Sequence, residues 1–100
     1  MKIVEVEVDY VTGRENTRKA WLSAIYVPTQ DTLFVGSRDA HHSHLTDALH
    51  ERGLVEYGEL MRGASSIVLD DNGEVHYTYG PVPIEYIQKW IQDWWEQKTW

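Results

Sequence analysis

Residues 18–28, RKAWLSAIYVP, constrain the fold of this chain more than any other stretch. Read as a strand, they place Ala20, Leu22, Ala24 and Tyr26 on one face and Trp21, Ser23, Ile25 and Val27 on the other. Neither face is polar, and a strand of that kind must be covered from both sides. The chain must therefore lay a helix on one face of its sheet, with a second subunit as one way to cover the other. One hundred residues support only a small core, about one sheet with one or two helices.

The neighbouring segments supply the remaining elements. MKIVEVEVDYV alternates strictly, with Val4, Val6, Val8 and Tyr10 on one side and Glu5, Glu7 and Asp9 on the other, which is a strand with one wet face. TGRENT has turn chemistry, so 18–28 is expected to return antiparallel to that first strand. TLFVG follows Pro28 as a short third strand. A helix comes next. Asp39 or Ser43 can cap it, Leu45, Ala48 and Leu49 recur at helical spacing, and Arg52-Gly53 is a good stop. LVEYGELMRG reads as irregular. ASSIVLDDNGEVHYTYG is a hairpin turning at Asp71-Asn72-Gly73. The chain closes with a helix begun by Pro83, in which Ile87, Ile91, Trp94 and Trp95 form an apolar stripe that Trp90 and Tyr86 extend sideways. The order β-β-β-α-β-β-α defines one α+β domain over residues 1–100, with two helices on a mainly antiparallel sheet. The two-sided strand and the over-wide stripe leave apolar surface to spare, which predicts a symmetric homodimer.

Charge and composition remove several classes of function. The formal net charge of −7 repels nucleic-acid phosphates and anionic membrane surfaces, so no direct nucleic-acid or membrane binding is expected. With no cysteine there is no disulfide frame, thiolate nucleophile or cysteine-based zinc knuckle. The first ten residues carry acids where a signal peptide needs an apolar region, and no run is long enough to span a bilayer, so a cytoplasmic protein is expected. No serine sits in a nucleophile elbow, and DDNGE is too short for a calcium loop.

Four of the five histidines fall in one stretch, His41, His42, His44 and His50. His41 and His44 share a helical face, but the pair of histidines four apart with an intervening glutamate that marks helical zinc sites is absent. A zinc site would need a distant partner such as His76 or Asp39. Alternatively, Ser37, Arg38, His41, His42 and His44 surround the open amides of a helix start, where a small anion such as a nucleotide phosphate could sit. The simplest assignment is a helix whose first turn carries partly exposed histidines, and no metal or cofactor is assigned.

Val35-Gly36, His42-Ser43-His44-Leu45, Arg62-Gly63 and Asp71-Asn72-Gly73 form a strand ending in glycine, a helix opening H-x-x-L, Arg-Gly and a hairpin. Over residues 33–80 this resembles small uncharacterised proteins encoded by bacteriophages and prophages. The resemblance brings no active site with it. It implies an accessory protein, and small acidic proteins of that class often bind and block a host factor. The expected function is accordingly non-catalytic binding of a host protein, for example as an inhibitor of an enzyme or defence complex. Tyr86, Trp90 and Trp100 would be its anchors, and the acidic stripe of Glu5 and Glu7 would face a basic partner. The alternative is a binder of a small anionic ligand around residues 36–45, and a small metal-dependent hydrolase comes third.

Overall fold

The computed structural model describes residues 1–8, 21–36, 42–70 and 72–97. Its architecture follows from β2 (Trp21–Val27), which lies at the centre of a mixed five-stranded sheet. The other strands are β1 (Lys2–Val6), β3 (Thr32–Gly36), β4 (Ser65–Asp70) and β5 (Val75–Tyr79), and the sheet order is β1-β3-β2-β4-β5. The helices are α1 (His42–Glu51), α2 (Tyr57–Arg62) and α3 (Ile84–Glu96). Among the described residues no helix is long and apolar enough to cross a membrane.

The two apolar faces of β2 are both covered within the chain. Leu22 and Ala24, with Tyr26 half-buried, join Leu33, Val35, Ile67 and Leu69 beneath Ile87 and Ile91 of α3. Ile25 and Val27 join Phe34, Val6 and Val8 beneath Leu45 and Leu49 of α1, with Val55 and Leu60 closing the lower end. A helical layer on each face removes the two-sided strand as a reason for a second subunit.

The α+β class and the order of the strands and major helices agree with the sequence, and two details of topology differ. The expected hairpin between 1–11 and 18–28 does not form. β1 pairs in parallel with β3, Val4 opposite Phe34, while β2 runs antiparallel to both β3 and β4. Alternation in β1 specifies a face and not a neighbour, and β3, whose residues are all buried, takes partners on both edges. The second difference is α2, a helix of six residues where irregular chain was expected. It is met from outside: Thr29 Oγ1 donates to Glu59 Oε1 at 2.8 Å, and Gln30 Nε2 donates to Glu59 Oε2 at 3.5 Å.

The stop signals operate as read. Gly53 has φ +67° and its amide bonds the His50 carbonyl at the end of α1. α1 starts at His42, and Asp39, one of the two expected caps, lies outside the described residues. Gly80, after β5, has φ +112°, and a Cβ there would overlap Ser65 and come within 2.6 Å of the Ala64 carbonyl oxygen. This close approach lets Ser65 Oγ accept the Val82 amide at 2.8 Å, which fixes the chain as it enters α3.

Candidate functional site

Helix α3 packs on β2 and β4, and among the described residues the sheet face beside it extends through β3 to the edge strand β1. Register puts Ile3, Leu33, Tyr26 and Ser65 in one row across β1, β3, β2 and β4. Leu33 and Ser65 are buried, Tyr26 is half-buried, and Ile3 at the edge is 38% exposed. From the other side Trp90 of α3 packs on Tyr26, ring centroids 5.0 Å apart. Tyr86 stacks on Trp90 at 6.3 Å with an interplanar angle of 22°. Tyr86 is 58% exposed, the most of any large apolar side chain described. The result is a graded aromatic step from buried Leu33 through Tyr26 and Trp90 to exposed Tyr86.

Tyr26 is anchored by its hydroxyl, which donates to Asp31 Oδ1 at 2.7 Å. Donation to Asp31, with burial and the nearby carboxylate charge adding to it, raises the Tyr26 pKa. The same bond holds the Asp31 carboxyl below its ordinary value, assisted by the N-terminal ammonium 3.5 Å away and opposed by burial. Asp31 follows a single 3-10 turn and has φ +47°, a left-handed conformation that Asp tolerates. The bond therefore fixes the Tyr26 ring against Trp90.

The acidic stripe belongs to this same face. Glu5 is opposite Val35, whose side chain lies on the α3 side of the sheet, and Glu7 continues the alternation one step further along. Both are exposed, and β1 is two strands from β2, about 10 Å. Structure thus brings together Tyr86, Trp90 and Tyr26, and places Glu5 and Glu7 on the same side of the sheet further along the edge strand. Trp100, the remaining expected anchor, lies outside the described residues. Tyr26 and Ile3 were missed as members. Their signal was the pairing of β3 with both β1 and β2, which periodicity does not carry.

The histidine stretch is only partly described. Ser37, Arg38 and His41 lie outside the described residues. His42 and His44 are half-buried, and residues two apart point to different sides of a helix. His50 is exposed and meets Tyr57 edge-on at 5.3 Å. His76, considered as a distant zinc partner for that stretch, instead meets Asp70, Nε2 to Oδ2 at 2.9 Å.

That contact is the feature least expected from sequence. Val68 pairs with Tyr77 and Leu69 with Val75, so His76 is the extra residue of a bulge that re-aims its side chain. The Asp70 side chain is fully buried, and its Oδ1 accepts the amides of Asn72 at 2.9 Å and Glu74 at 3.0 Å. These two amides are the backbone contacts by which an aspartate holds a turn. The third bond, to His76, was not foreseen. With Glu74, the two could offer ligand atoms within 4.8 Å of one another to a metal ion. Every Asp70 oxygen is already engaged, so the arrangement is accounted for as a clamp on the hairpin.

Comparison with known proteins adds no assignment: no family model, curated protein or solved structure matches this chain.

Proposed function

We propose that this chain is a non-catalytic binding protein that acts by covering a partner's surface with the face formed by Tyr86, Trp90, Tyr26 and Ile3, rimmed by Glu5 and Glu7. The observation that carries this reading is the exposed Tyr86 ring stacked on a half-buried Trp90, which itself rests on the core through Tyr26. Anchored aromatics of this kind contribute large contact area at little cost in side-chain entropy, and they dominate the energetics of protein interfaces. The carboxylates beside them, with the net charge of −7, favour a partner that has an apolar centre and a basic rim. The biological form we favour is that of a phage-type accessory protein blocking a host enzyme or defence complex.

The test is capture of a partner by immobilised wild-type protein compared with Tyr86→Ala and with a Glu5→Lys/Glu7→Lys double variant. Loss of a true anchor weakens binding by about 2 kcal/mol or more, roughly thirtyfold. The charge-reversed variant should lose most of its capture at low salt. A homodimer is the competing use of the same face. Use of the face for a partner predicts a monomer by light scattering at tens of micromolar. A dimer that Tyr86→Ala dissociates would reassign the face to self-association.

A further inference from the structure

We propose that Asn72 is a site of spontaneous covalent modification. The Gly73 amide nitrogen closes on the Asn72 side chain and converts it to aspartate and isoaspartate, at a rate set by the Asp70 clamp. Asn72 is exposed, and with Gly73 it lines the cleft between the β4–β5 turn and α3. Among the described residues its side-chain amide makes no hydrogen bond, whereas its backbone amide is held by Asp70 Oδ1 at 2.9 Å. Gly73 supplies the nucleophile, and without a Cβ its nitrogen is approached with the least crowding. The turn also requires glycine there: φ is +80°, and a Cβ would stand 3.1 Å from Gln92 Nε2. The fold therefore retains the most reactive neighbour an asparagine can have. Asn16, the chain's other asparagine, precedes Thr17, whose branched Cβ shields the nitrogen.

The steps balance with no reactant but water. Hydroxide removes the Gly73 amide proton, and the nitrogen bonds to the Asn72 side-chain carbonyl carbon. The bond from that carbon to the side-chain nitrogen breaks. That nitrogen takes a proton from water and leaves as ammonia, and a succinimide ring remains. Water then opens the ring at either carbonyl. One opening gives aspartate, and the other routes the main chain through the side-chain carbons as isoaspartate. Nothing is oxidised or reduced.

The turn's own hydrogen bonds oppose this. Gly73 N–H donates to the Asp70 carbonyl at 3.0 Å, which engages the proton that must leave and fixes the nitrogen in place. Asp70 Oδ1 holds the Asn72 and Glu74 amides on either side, and His76 Nε2 meets Asp70 Oδ2 at 2.9 Å. Reaction proceeds from the molecules in which the turn is open, and the clamp sets that fraction. Isoaspartate adds a main-chain carbon between positions 72 and 73, so the Gly73 and Glu74 amides lose their register with Asp70. Modified protein thus loses the clamp that slowed the reaction. None of these residues belongs to the Tyr86 face.

The test is storage of the intact chain at mildly alkaline pH, folded and in urea, followed by peptide mapping and isoaspartate-specific methylation. In urea, Asn72 should convert well ahead of Asn16. Folded wild type should form isoaspartate at residue 72 at least about tenfold more slowly than the chain in urea. Asp70→Ala should raise the folded rate about tenfold, the change expected on loss of one charge-assisted hydrogen bond. His76→Ala leaves the Asp70–amide bonds in place and should raise it about threefold, which keeps the test decisive if Asp70→Ala fails to fold. Asn72→Gln, whose longer side chain closes a ring poorly, should form no product at residue 72. Isoaspartate absent from folded wild type while the unfolded chain converts would overturn the site. So would aspartate alone, which marks direct hydrolysis, or equal rates in wild type and the clamp variants.

Discussion

Asp70 offers the sharpest test of how this fold is held together. Among the described residues its buried carboxylate accepts three side-chain hydrogen bonds, from the amides of Asn72 and Glu74 and from His76 Nε2, all between 2.9 and 3.0 Å. Bonds to a charged acceptor contribute about 1.5–3 kcal/mol each, and burying the carboxylate costs several kcal/mol in return. Asp70→Ala removes all three bonds and also removes the desolvation cost. Asn72, Glu74 and His76 are exposed, so water can partly replace the lost acceptor. The net expectation is a loss of about 2–4 kcal/mol. Asp70→Asn keeps an oxygen for the two amides, so it should cost less than about 1.5 kcal/mol. Urea unfolding at neutral pH, with the slope against denaturant unchanged, measures both. An Asp70→Ala variant within about 0.5 kcal/mol of wild type, or an Asn variant as damaging as the Ala variant, would show that the hairpin does not depend on this clamp.

Three further outcomes follow from the packing and electrostatics. Gly80→Ala forces a Cβ into Ser65 and the Ala64 carbonyl at a φ that L residues rarely adopt, and should cost about 3 kcal/mol in chemical denaturation. Ile91→Ala empties a fully buried position under α3 and should cost about 2–5 kcal/mol. Tyr86→Ala should change the melting temperature little, and similar losses from the two would mean that the Tyr86 ring belongs to the core. Asp31 has its folded pKa below the ordinary 3.8. Its contribution to stability is therefore present above pH 3.8 and lost as pH falls through the lower folded value. Asp31→Asn should flatten the acid limb of the stability profile, and an unchanged limb would contradict the Tyr26–Asp31 bond.

Side-chain periodicity made half of this legible in the sequence. Val6 and Val8 are buried and Glu5 and Glu7 exposed, as strict alternation requires, and Ile87 and Ile91 form the inward line of α3. The two apolar faces of β2 correctly implied two covering layers. What periodicity lacks is adjacency. It does not distinguish β1 beside β2 from β1 beside β3, and that pairing decides that Ile3, Tyr26 and Trp90 share one surface. The helix α2 was hidden because six residues containing Gly58 have little intrinsic helical tendency. Its formation depends on contacts from Thr29 and Gln30, about thirty positions away. The Asp70–His76 clamp was hidden by a bulge, which shifts the strand register that a sequence pattern assumes to be regular.

The proposed face is tested most directly by side-by-side capture with wild type, Tyr86→Ala and Tyr57→Ala. Tyr57 is a matched control, an aromatic 55% exposed on the helical layer across the sheet. The face assigned here predicts that Tyr86→Ala loses the partner that wild type and Tyr57→Ala both retain, with all three folded and equally stable. Retention by Tyr86→Ala, or loss by Tyr57→Ala alone, would place the interaction on the other side of the molecule and contradict it.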